Sequence, residues 1–268
     1  MKKVLLSLFV AIAITVPSFA AKTYNAANRV STVGSTLLTQ NGIPATNVKF
    51  TVVSGAVDNS NYVTNKVVNV SSAELAYAGN DNEVAAVVAN ELGHIITGNA
   101  SKGKVINLLQ AATNTNITTN DTTTAIVSNY KYSKEEKEAD VVAVNLMANA
   151  GYNPLAIIVV LTKQTGTYWE AIQGKPANAD RAMNVYDYTG YAYPAKLKAG
   201  YACNEYKNFL TFANTVLATR KEMPKLQTKV SKDMKKYRKN SVNQVAKFKT
   251  RGGMSGWDAA YGLLNGAQ

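Results

Sequence analysis

Histidine occurs once in the 268 residues, as His94, and cysteine once, as Cys203. One cysteine excludes an internal disulfide, so the fold must rest on its packed core. One histidine excludes any site that needs two imidazoles from the same chain, and most zinc enzymes need at least two. It also leaves no partner to activate the Cys203 thiol, which reads as a half-buried small residue rather than a nucleophile. Past the first twenty residues, no apolar run reaches the roughly 20 residues of a membrane-spanning helix. Acidic residues are scarce, with 17 Asp and Glu against 29 Lys and Arg, for a net charge of +12.

The N-terminus has the composition of a secretory signal. Lys2 and Lys3 precede the apolar run Val4 to Val16, and Pro17-Ser18-Phe19-Ala20 supplies small residues for a cut before Ala21. An uncleaved anchor is the alternative, but the apolar run is too short to span a bilayer. No cysteine follows the cut, so lipid anchoring is not indicated. The expected organisation is a signal peptide over 1–20, one domain over 21–200 and a basic helical extension over 201–268, in a periplasmic or secreted protein. The extension holds 13 Lys and Arg against Glu205, Glu222, Asp233 and Asp258. That excess suits an anionic membrane surface or an acidic partner, whereas export disfavours nucleic acid.

Residues 23–40 read as a helix, broken by Gly42-Ile43-Pro44. Two β-rich runs follow, Val48 to Val53 and Lys66 to Val70, separated by the turn-forming Asp58-Asn59-Ser60-Asn61. Ser71 or Ser72 caps a short helix through Leu75. The next helix starts from Asn80, Asp81 or Asn82 and closes at Gly98, with Val84, Val87, Val88, Leu92 and Ile95 on one face. Residues 113–124 read as a surface loop, and Ser133 as the cap of a helix that Gly151 ends. Asn153-Pro154 opens another helix. From Pro224 to about Thr250 runs a lysine-studded helix with Met223, Leu226, Val230, Met234 and Tyr237 in one stripe. The class is α+β, mainly helical with a small sheet.

Four segments carry chemistry: Asn82 to His94, ending Asn-Glu-Leu-Gly-His; Tyr132 to Asp140; Ala148 to Pro154; and Lys175-Pro176 with Arg181. Together they resemble metallopeptidase family forty-eight, the gluzincin zinc metalloendopeptidases that include HtpX-type, CAAX prenyl-protease-type and BepA-type enzymes. The resemblance runs over roughly residues 25–190. In that family the segments read N-E-x-E-x-A-x-V-x-x-H-E-x-G-H, S-R-x-x-E-x-x-A-D, A-x-A-G-Y-D-P and H-P-x-x-x-x-R.

The resemblance implies a zincin-like fold, polypeptide substrates or clients, and zinc held by two histidines and a glutamate, with water in the fourth position. It makes Glu91 the general base, His94 and Glu136 metal ligands, Asp140 the partner that orients a ligating imidazole, and Arg181 the catalytic arginine that steadies substrate or oxyanion charge. A strand beside the helix pairs with the substrate backbone, and Lys66 to Val70 is the candidate. Two positions depart from the pattern: Asn90 stands where the first ligand histidine belongs, and Lys175 where the histidine of H-P belongs. An asparagine oxygen is a poor partner for zinc, so retention of the metal is doubtful and the expectation is an impaired peptidase homologue in envelope quality control or binding. Lys175 is then the candidate substitute for the lost cationic charge. The alternative is an active enzyme with an altered ligand set. Ser133-x-x-Glu136 also reads as a capping box.

Overall fold

The computed structural model describes residues 26–54, 57–99, 122–164 and 176–250. The signal-like segment, most of the loop expected over 113–124 and Lys175 lie outside the described residues.

The first helix, α1 (Ala26–Gln40), buries Val30, Val33, Leu37 and Leu38. It leads into β1 (Lys49–Val53), the one-turn α2 (Tyr62–Asn65) and β2 (Val67–Ser71). The two strands run parallel, with Lys49 opposite Val67 and Val53 opposite Ser71. Ser71 then caps α3 (Ser72–Leu75), its side chain accepting from the Glu74 N–H.

α4 (Asp81–Thr97) is the central helix. Asn80 caps it by accepting from the Glu83 N–H, and the Glu83 carboxylate accepts in return from the Asn80 side chain and from the Gly79 N–H. Lys163 also donates to Glu83, at 2.7 Å, which keeps this buried acid paired. Val84, Val87, Val88, Leu92 and Ile95 are buried, each worth roughly 1.5–3 kcal/mol by removal from water. Gly98, at φ 77°, ends the helix in the left-handed conformation that side chains disfavour.

The second core helix, α5 (Thr122–Asn149), begins eleven residues before the expected cap at Ser133. Nothing between Ala125 and Tyr132 is proline or glycine, so nothing stops the helix from extending back. Ser133 is interior to it, and Ser133-x-x-Glu136 is therefore not a capping box. Likewise, residues 122–124 of the expected loop are helical. α6 (Ala156–Lys163) is buried along nearly its whole length, and α7 (Pro176–Ala192) lies against both α5 and α6. The helix α8 (Pro194–Ala199) follows.

The C-terminal pair, α9 (Asn204–Lys221) and α10 (Pro224–Thr250), packs back on the domain. In the stripe on α10 Met234 is buried, Val230 and Tyr237 are half-buried, and Met223 and Leu226 are exposed. Asn145 of α5 ties the helix down. Its Oδ1 accepts from Tyr188, Tyr193 and Arg238, and its Nδ2 donates to Ser241. Phe248, near the end of α10, stacks on Tyr62 at 6.0 Å between ring centroids. The whole is a mainly helical α+β fold with a two-stranded sheet. No helix among the described residues is long and apolar enough to cross a membrane.

Candidate active site

The site forms where α4 and α5 cross. Gly93 permits the approach: a Cβ there would stand 2.4 Å from the Ala139 carbonyl oxygen, closer than atoms can come. With the helices in contact and antiparallel, residues early on α4 face residues late on the site segment of α5. Asn90 thus meets Asp140 and His94 meets Glu136.

Asn90 Nδ2 donates to Asp140 Oδ1 at 2.8 Å. His94 Nε2 lies 3.2 Å from Glu136 Oε1. Arg181, from α7, joins both acids. Its Nε and one terminal nitrogen donate to the two oxygens of Asp140, each at 2.8 Å, and its other terminal nitrogen sits 3.0 Å from Glu136 Oε2. Such a forked contact fixes the guanidinium plane as well as its charge. Asp140 is fully buried and Glu136 nearly so.

Glu91 points the other way, toward the sheet, and accepts from Asn59 Nδ2 at 2.9 Å. Glu74, on α3, is half-buried and within electrostatic reach of Arg181, Glu136, His94 and Glu91. Neither Asn59 nor Glu74 was singled out from the sequence. Asn59 sat inside a turn signature, and the only local sign of Glu74 was its spacing from Ser71.

Charge organises the cluster. Burial alone would raise the Glu136 pKa, but Arg181 and His94 pull it down to about 2. Burial alone would lower that of His94, and the Glu136 charge and hydrogen bond raise it to about 9 instead. Glu91 forms no ion pair among the described residues; burial, and then the nearby Glu74 charge, push it up to about 8. Burial likewise raises Glu74. At neutral pH these shifts leave Glu136 ionised against a protonated His94, with Glu91 keeping its proton.

One helix carries Glu91 and His94, and the second helix that crosses it carries Glu136 and Asp140. Residues 25–190 match the model of peptidase family M48, and the chain belongs to that family. No curated protein and no solved structure gives a match.

The family is zinc-dependent and acts on polypeptides. Among the described residues, no three His, Cys, Asp or Glu side chains are arranged to hold a metal ion. Both oxygens of Glu136 already face cationic groups, and the Asn90 amide is turned to Asp140. These residues alone do not fit the tetrahedral zinc site of a peptidase.

Proposed function

We propose that this chain is an exported, catalytically impaired peptidase homologue that binds polypeptide in envelope protein quality control. The observation that carries the reading is the Asn90–Asp140 hydrogen bond. An asparagine Nδ2–H stands where an imidazole Nδ1–H would, so the bond to Asp140 is kept while the metal-facing nitrogen is gone. Arg181 supports the same reading: its guanidinium against Glu136 supplies positive charge beside the expected ligand carboxylate. Export rests on the signal-like N-terminus, and polypeptide as the bound class rests on the family.

Elemental analysis of the mature protein, paired with a casein-cleavage assay, tests it. The expected result is zinc well below one equivalent and no cleavage that Glu91→Gln abolishes. Asn90→His should raise zinc occupancy. Stoichiometric zinc with Glu91-dependent cleavage would instead establish an active metalloendopeptidase with an altered ligand set, drawing on Asn90, His94, Glu136 and an acid such as Glu135 or Glu138.

A separate contact with an anionic membrane surface is supported by the turn between α9 and α10. Met223 and Leu226 are exposed there, 51% and 37%, among Lys221, Lys225 and Lys229. Binding to anionic vesicles that salt weakens, and that replacing these three lysines by glutamate removes, is the expected outcome. Binding indifferent to both would exclude it.

A further inference from the structure

The outer edge of β2 is occupied, and its occupant is a side chain. β1 takes one side of β2, beginning with the Lys49 N–H bonded to the Lys66 carbonyl at 2.8 Å. In a parallel ladder alternate residues turn their N–H and C=O to the far side. Asn69 is such a residue. Its N–H donates to Asn59 Oδ1 at 2.7 Å, and its carbonyl accepts from Asn59 Nδ2 at 3.1 Å. The Asn59 carboxamide thus presents the acceptor and donor that one residue of a docked antiparallel chain would present. The second Nδ2 hydrogen goes to Glu91 Oε2. Every hydrogen of that amide is used, and Asn59 is 2% exposed.

The turn that carries Asn59 is held from both ends. The Asn69 side chain donates to the Asp58 carbonyl at 2.7 Å, and Tyr62 stacks on Phe248 of α10.

We propose that Asn59 sets the affinity of the β2 edge for extended polypeptide: it holds the place of one backbone residue and must leave Asn69 before a chain can pair there. The proposal rests on the reading that the protein binds polypeptide. Because one amide bonds both Asn69 and Glu91, its departure opens the strand edge and uncovers the Glu91 carboxyl in one movement. Phe248 positions the turn through Tyr62, so the end of the C-terminal helix tunes the same edge.

Fluorescein-labelled carboxymethylated casein is the probe, with binding read by anisotropy on the full mature chain. Asn59→Ala removes the competing hydrogen bonds and should tighten binding about tenfold. Its Asn69 amide hydrogen should exchange faster without casein and regain protection with it. In the wild-type chain, whose folding is not at issue, saturating casein should shift the Asn59 side-chain amide resonances. Equal binding by wild type and Asn59→Ala, or Asn59 resonances unmoved by bound casein, would overturn the proposal and leave polypeptide binding intact. Binding by neither protein, with Asn69 exchange accelerated in the variant, would overturn polypeptide binding itself and this proposal with it.

Discussion

Asn90 and Asp140 face each other across the crossing of α4 and α5 with 2.8 Å between Nδ2 and Oδ1. Asp140 has a second partner in Arg181, so the buried acid is satisfied on both oxygens. Substituting Asn90 therefore removes one bond from an acid that keeps its cation. Asn90→Ala should cost about 1–3 kcal/mol in urea unfolding. A neutral outcome would mean that water replaces the amide at Asp140.

Arg181 is a heavier loss. Arg181→Met removes the guanidinium that Asp140 and Glu136 share, leaving Glu136 with His94 and Asp140 with the neutral Asn90 amide among the described residues. The expected destabilisation is about 3–5 kcal/mol. Arg181→Lys should recover little of it, because an ammonium cannot reproduce the fork to Asp140. Full recovery by lysine would show that charge alone matters there.

The pH dependence of stability follows from three shifts, for the metal-free protein. Glu136 is depressed to about 2, so its contribution is present above its ordinary value of 4.5 and is lost as pH falls toward 2. His94 is raised to about 9, so its contribution is complete below 6.5 and disappears as pH rises through 9. Glu91 is raised to about 8, and the folded state holds its proton while the unfolded chain releases it above 4.5. Stability should therefore fall from pH 4.5 to 8 on this account. The maximum is expected near pH 4.5, where the Glu136 contribution is complete and the Glu91 loss has only begun, measured by denaturant unfolding with chelator present. Stability that climbs steadily from pH 6 to 9 would contradict it.

Gly93→Ala tests the helix crossing. The added methyl meets the Ala139 backbone carbonyl, which has no rotamer by which to move aside. A loss of about 1–3 kcal/mol is expected, with His94 and Glu136 drawn apart. The separation is checked by the His94 titration, which should fall from about 9 toward its ordinary 6.5. An unchanged titration would mean that the two helices shift together.

Much of this was legible in the sequence because it lies on helices. Val84 to Ile95 recur at helical steps, and Glu91, His94, Glu136 and Asp140 ride on two such helices. Residues at fixed steps along a helix keep their mutual placement, so Asn90 and His94 could be set on one face from spacing alone. The remainder depends on approach in space. Asn59 reaches Glu91 from 32 positions away and belongs to a turn whose composition says only that it turns. Glu74 sits on a single helical turn, too short to show a period. α7 escaped notice because its Asn, Tyr, Thr and Gly residues are indifferent helix formers. At Ser133 a local capping signature was present, but no proline or glycine on its N-terminal side stops the helix, and the longer helix prevails.

Asn145 joins the middle of the chain to its end, since Tyr188, Tyr193, Arg238 and Ser241 all converge on that one buried side chain. During synthesis the chain emerges from its N-terminus, so α4 and α5 are free long before Arg238 and Ser241 arrive. Until then Asn145 must stay solvated or make do with partial partners, and the peptidase-like half waits in an unfinished state. A late arrival thus finishes an early core. The last helix acts as a timer: the domain cannot reach its final form until residues 238 and 241 have been made, and a chain cut short before residue 238 would leave Asn145 without two of its partners.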